Sequence, residues 1–238
     1  MFDTLRRHPG LVLSQVMADP LDTWASIQDT LVARFGKSAS VTYQTAVPDW
    51  EARYSQALGI PLNGSGPDPD TVEFRTLWFE VIASLQNRGM AVGPFSFYEW
   101  NDGDAGFVRA IWSFIRHANP AIVVETGVAH GMTSRFILKA LEINHKGRLW
   151  SIDKPPFNPE TRKEVGCAVD DARLRQRWTY IAGTSRRRLR PLLQELRHVD
   201  LFIHDSLHST RNVLFELETV WPYLNQGGGY GGRRHRPQ

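Results

Sequence analysis

Glu125, Gly127 and Gly131 stand in "VVETGVAHGMTS" (Val123–Ser134), an apolar run that ends in an acid, passes two glycines and enters a helix-forming stretch. Glycines at the mouth of a strand–helix turn let a ligand come close to backbone. The spacing limits which ligand. A P-loop needs a lysine to meet the phosphates, and none lies between Gly127 and Ser134. A dinucleotide turn needs G-x-G-x-x-G, whereas this one reads G-x-x-x-G. A carboxylate at Glu125 repels a pyrophosphate but suits an ammonium or sulfonium cation. Asp153 closes a second apolar run, "LWSID", where a carboxylate can take both hydroxyls of a ribose. A lone E-x-G-x-x-x-G arises by chance, with Glu125 as an ordinary helix-cap partner. Joined to the second acid, it favours an adenosyl ligand with positive charge, S-adenosylmethionine.

"HDSLH" offers a third set, Asp205 and His208. Transfer of a methyl from a sulfonium requires an oriented acceptor and often removal of its proton. Asp205 is the candidate base, acceptor-orienting group or metal ligand, and His208 the candidate base toward a sugar or phenol hydroxyl. The ordinary readings are a helix cap for Asp205 and a surface position for His208. His204 points to the opposite strand face by alternation and reads as structural. His130 occupies the first turn. Cys167 has no neighbouring His–Asp pattern and is not expected to be a nucleophile.

These residues need a scaffold that gathers them. "AIVVET", "GRLWSID", "WTYIAG" and "VDLFIHD" read as strands. They alternate with helices in "MTSRFILKALEI", "EVGCAVDDARLRQR", "PLLQELR" (Pro191 in its first turn) and "TRNVLFELETVWPYL". Such alternation implies an α/β fold, a mainly parallel sheet with helices on both faces. Ligands then bind beyond the carboxyl ends of the strands. Glu125–Gly131, Asp153, Gly183–Ser185 and Asp205–His208 all fall there.

The first hundred residues read as helical. Leu21, Trp24, Ile27, Leu31 and Phe35 recur at helical spacing after Asp19 and Pro20. Leu77, Trp78, Val81, Ile82 and Leu85 mark a second helix stopped by Gly89. Phe107, Ile111, Trp112 and Ile115 mark a third facing inward, ended by Pro120. "LNGSGPDPD" (Leu62–Asp70) is a linker by composition. The aromatics Trp50, Trp78, Phe95, Phe97, Tyr98 and Trp100 suit a core more than a lid.

At 238 residues, 42% hydrophobic and 22% charged, the chain suits one globular domain with a helical extension. Its one cysteine excludes an internal disulfide and fits a reducing, cytoplasmic setting. A formal charge of +3 is concentrated in "TSRRRLRP" and "GGRRHRPQ", without the interleaved aromatics of nucleic-acid binding. No apolar run approaches the ~20 residues of a membrane span.

From about Phe107 to Gly228 the chain resembles the class I S-adenosylmethionine-dependent methyltransferases, nearest the bacterial branch acting on sugars and antibiotics. "VVETGVAHGMTSRFILKAL", "LWSID", "IAGTS" and "VDLFIHDSLHS" resemble the first four motifs in order, and "WPYLNQGG" the approach to the fifth strand. The resemblance implies that Glu125, Thr126, Gly127 and Gly131 line the methionine end and that Asp153 holds the ribose. Thr184 and Ser185 then stand near the adenine, where the family commonly reads "GDS"; Thr184 in place of the acid predicts weaker adenine binding. Some relatives also hold Mg2+ with the acid after strand four, here Asp205, and a later acid pair that this sequence lacks.

The resulting division is a helical cap region over 1–100, a methyltransferase core over 101–228 and an aberrant tail over 229–238. "GGGYGGRRHRPQ" stands where the family places its last strands. Read one base later, the codons for Gly229–Pro237 permit Met-Ala-Asp-Asp-Val-Ile-Asp, a strand end with an acid pair, so a frameshift near Gly228 is the expectation. The function expected is O-methylation of a sugar or other small-molecule hydroxyl, with a homo-oligomer allowed. The alternatives are a noncatalytic remnant that binds an adenosyl ligand or a protein partner, and a nicotinamide-dependent oxidoreductase.

Overall fold

In a computed structural model, residues 9–18, 20–21, 23–24, 27–28, 31, 49–60, 69–97, 100–102, 104–156 and 158–224 are described. The four expected strands form one parallel sheet. They are β3 (Ile122–Thr126), β4 (Arg148–Asp153), β5 (Trp178–Ala182) and β6 (Leu201–His204), in the order β5-β4-β3-β6. The chain steps outward from β3 to β5, then crosses back to place β6 on the other side of β3. The carboxyl ends of β3 and β6 therefore flank the switch point where such sheets bind ligands.

Burial on both faces explains the apolar strand sequences. Val123, Leu149 and Ile203 face one cluster with α4 (Ala105–Ala118) and α5 (Met132–Ile143). Val124 and Ile152 face the other, with Leu189, Leu192 and Leu193 of α8 (Ser185–Leu196) and Val220 of α9 (Thr210–Val220). The α4 helix opens on Asp104, whose side chain accepts from Phe107 N at 3.0 Å, and ends on a left-handed Asn119. Ser209 caps α9, accepting from Asn212 N at 3.3 Å.

Ahead of this core lie α1 (Pro9–Ala18), α2 (Trp50–Leu58) and α3 (Pro69–Asn87). Phe74, Leu77, Val81 and Leu85 of α3 enter the same cluster as α4 and α5, with the Phe74 and Phe136 rings tilted at 45° and their centroids 5.0 Å apart. Trp78 and Ile82 pack on that cluster's edge. The described positions from 20 to 31 are helical, but Leu21 and Trp24 are 66% and 59% exposed. Phe35, Asp19, most of the linker and the tail after 228 lie outside the described residues; Pro69 and Asp70, read as linker, open α3.

Four expectations are corrected. Val108 takes the inward position given to Phe107, which is 38% exposed. "PFSFYEWND" supplies a hairpin, β1 (Gly93–Phe97) against β2 (Trp100–Asp102), since Gly93-Pro94 breaks a helix and the aromatics favour extended chain. The helix expected over Glu164–Arg177 is mostly turns. Gly166, at φ 69, interrupts it, leaving α6 (Pro159–Arg162) before and α7 (Ala172–Arg175) after. Finally α8 starts at Ser185, so Pro191 lies within the helix, on an exposed side where its missing N–H costs least.

Candidate functional site

The turn after β3 is held by its protein neighbours on three sides. Gly127, at φ 88, donates from its N–H to Ile152 O at 2.9 Å. A Cβ there would lie 2.0 Å from the carbonyl oxygen of Asp205. A Cβ at Gly131, φ 85, would lie 2.8 Å from Gly166 Cα. Both glycines thus admit backbone of the chain itself, from the tip of β6 and from the loop before α7. That loop also donates to the turn, from Gly166 N to Ala129 O (2.9 Å) and from Ala168 N to His130 O (2.8 Å). His130 is buried inside it, 3.9 Å from Glu164.

Asp153, at the tip of β4, closes the third side. Burial pushes its carboxyl up to about 7, against hydrogen bonds from the backbone N–H groups of Lys154, Val128 and Ala129. Two of those donors belong to the turn, so the acid assigned to a ribose is tied to the loop that precedes it. Glu125 lies beneath this layer at 0% exposure. Ser134 and Ser151 donate to its Oε2 at 2.6 and 2.7 Å, and Trp178 Nε1 donates to Ser151 Oγ at 2.9 Å. Its Oε1 is buried without a partner. Burial raises the Glu125 carboxyl to about 8; the two serines pull it down, and the charges of Asp205 and Asp153 add to the rise.

The β6 tip brings Asp205 and His208 together. Asp205 N donates to Thr126 O at 2.8 Å, continuing the β3–β6 ladder by one step. Its carboxylate accepts from Thr133 Oγ1 at 3.4 Å and lies 3.9 Å from His208 Nε2. Thr133, in the first turn of α5, joins the site without having been singled out; its place just after Gly131 was the available signal. His208 is half-exposed and its pKa is lowered, first by burial and then by His204, against Glu216. Such a group, neutral at pH 7 beside an acid and a hydroxyl, can accept a proton.

Thr126 turns away from the turn and donates to Glu216 Oε2 of α9 at 2.6 Å. Ser185 faces the same helix, 3.5 Å from Asn212 Oδ1, and Thr184 is buried at the α8 N-terminus. The arginines after Ser185 are partly used inside the fold. Arg186 lies 5.0 Å from the Phe215 ring and Arg188 Nε donates to Ala182 O at 3.0 Å. The Cys167 thiol is buried, 3.3 Å from Met90 Sδ. Among the described residues no three His, Cys, Asp or Glu side chains gather as a metal site. No described helix is long and apolar enough to cross a membrane.

No curated protein matches the chain. Among solved structures it is similar to an O-methyltransferase from Bacillus cereus in complex with SAH, at 11% identity and TM-score 0.48, over 75% of this chain and 69% of that one. It is also similar to the O-methyltransferase TomG from Streptomyces achromogenes, involved in tomaymycin synthesis and in complex with SAM. That match has 12% identity and TM-score 0.47, over 74% and 67% of the two chains. A methyltransferase from Geobacter sulfurreducens aligns at 18% identity and TM-score 0.41, over 75% and 76%. A protein-family model matches residues 124–229, from within β3 past the end of α9, and its description is "Methyltransferase domain". The segment that this model matches holds the turn, all the strand-tip acids and His208, on the parallel sheet β5-β4-β3-β6.

Proposed function

We propose that the protein is an S-adenosylmethionine-dependent O-methyltransferase acting on a hydroxyl of a small molecule, a sugar or another natural product. The observation that carries this reading is the coincidence of the methyltransferase-domain match with the β3–β6 switch point, where Thr133, Asp205 and His208 converge. In this reading Gly127 and Gly131 shape the methionine end, Thr126 braces it from behind through Glu216, Asp153 takes the ribose, and Thr184 and Ser185 border the adenine. Glu125 supports the turn from below and offers negative charge to the sulfonium side once ionised. Asp205 orients the acceptor hydroxyl and His208 removes its proton as the oxygen attacks the methyl carbon. The helices before residue 101 wall the acceptor side, and the exposed Leu13, Met17, Leu21 and Trp24 offer an apolar contact for a further copy.

A thermal melt with and without S-adenosylmethionine tests the reading. A ligand bound only by the folded state adds ~2.7 kcal/mol at a hundredfold excess over its Kd. The midpoint is expected to rise with S-adenosylmethionine and to stay put with NAD or NADP. A midpoint indifferent to S-adenosylmethionine at millimolar concentration would sink the proposal.

A further inference from the structure

Behind the Asp205–His208 edge lies a second set of groups, whose role rests on the methyl-transfer reading above. Glu216 is 0% exposed, and four donors converge on it. Thr126 Oγ1 and His204 Nδ1 each lie 2.6 Å from Oε2, and Ser206 Oγ and Asn212 Nδ2 lie 2.7 and 2.9 Å from Oε1. Burial alone would raise the Glu216 carboxyl, but His204, Ser185, Thr126 and Ser206 together hold it below the usual range. Glu216 is therefore an ionised acceptor, and the proton between it and His204 belongs to Nδ1.

A neutral imidazole protonated at Nδ1 has its lone pair on Nε2. In His204 that Nε2 is buried and has no hydrogen-bond partner. The His208 ring meets the His204 ring edge to face, with centroids 5.2 Å apart. A histidine kept only to brace the fold would have both ring nitrogens satisfied, because an unpaired buried acceptor costs stability. The groups facing His204 are Glu216 from α9 and His208 from the loop after β6, with Asp205 beside His208.

We propose that Glu216 and His204 are positioning residues for His208, and that Glu216–His204–His208 forms a relay drawing the acceptor's proton inward. As the acceptor oxygen bonds to the methyl carbon, the carbon–sulfur bond breaks and its electron pair stays on sulfur. The hydroxyl proton passes to His208, whose ring turns to bring its N–H onto the unpartnered Nε2 of His204 and hands the proton there. The imidazolium so formed lies against the Glu216 carboxylate, which balances its charge. After the product leaves, the proton returns to water through half-exposed His208.

Ring nitrogen–proton NMR of the wild-type chain at pH 7, with His204 assigned through the backbone, tests the relay without needing an acceptor. The expected result is the Nδ1–H tautomer of His204 with a strongly deshielded ring proton. That proton is lost in Glu216→Gln and restored in Glu216→Asp, and the His208 ring signals move in Glu216→Gln. An Nε2–H tautomer at His204 overturns the relay, and this reading needs no variant to fold. Unchanged His208 signals in a folded Glu216→Gln overturn it equally. Adding S-adenosylmethionine to the same sample separates the two claims. Amide shifts at Gly127 and Asp153 with the wrong tautomer sink the relay alone; no shifts at all sink the methyl-transfer reading.

Discussion

With both serines donating to one oxygen and the other oxygen unpartnered, the Glu125 carboxyl holds its proton up to about pH 8. In an unfolded chain the same group ionises near the ordinary 4.3. Between those values the folded state binds the extra proton, so Glu125 makes stability fall as pH rises. The slope is about 1.4 kcal/mol per pH unit for one such group. Asp153, raised to about 7, acts in the same direction over a lower window. Glu125→Gln keeps the hydrogen-bond geometry without the proton linkage. Denaturant melts from pH 5 to 8 are expected to show a clearly flatter pH dependence in this variant than in wild type, with similar stability near pH 5. Parallel curves would mean that Glu125 is ionised throughout. At this scale residue types are legible but side-chain directions are not. Glu125, Thr126 and Asp153 were legible as strand-tip polar groups; that Thr126 and Ser185 turn toward Glu216 depends on α9, which is 90 residues from Thr126 in the chain.

Elements were most legible where a single physical demand dominated. The short run "AIVVET" must be buried on both faces, and it forms the central strand β3; the other three runs form its neighbours, down to the edge strand β5, which has no buried residue. The stretch Glu164–Arg177 was misread because its helical pattern is overruled by contacts outside it: Gly166 packs against Gly131 and the Trp178 ring. Pro191 misled in the same way, by suggesting a helix start where Ser185 already begins one. The hairpin of β1 and β2 was hidden by the helical rhythm around it. Gly127 shows how tightly separate elements are joined at the site. Alanine there meets both a left-handed backbone and the Asp205 carbonyl at 2.0 Å. Strain and overpacking each cost about 1–3 kcal/mol. Gly127→Ala is therefore expected to lose about 2–6 kcal/mol in a denaturant melt, through separation of the β6 tip from the β3–α5 turn. A loss under ~1 kcal/mol would show that the close approach is not needed.

For the whole molecule, the question is where the folding unit begins. The methyltransferase-domain match starts at residue 124, yet the cluster beneath the sheet continues into α4 and α3. Phe74, Leu77, Val81 and Leu85 are at most 6% exposed, with Leu85 fully buried against the α4–α5 layer. At about 1.5–3 kcal/mol for each fully buried side chain, α3 contributes on the order of 6–12 kcal/mol. That equals the net stability of a typical domain, about 5–15 kcal/mol. The α2 helix is attached differently, with no fully buried residue of its own. Tyr54 donates to Ala110 O at 2.8 Å, and Glu51 pairs with Arg109 at 3.0 Å. Partly exposed contacts of this kind add about 1 kcal/mol each. A chain starting at residue 69 is thus expected to melt cooperatively, a few kcal/mol below the full chain. One starting at residue 91 is expected to lose its cooperative transition and bind an apolar dye, because Phe136 and Trp112 lose their cover. If the shorter chain melts as sharply as the longer one, α3 is an appendage, and the core closes over the sheet without it.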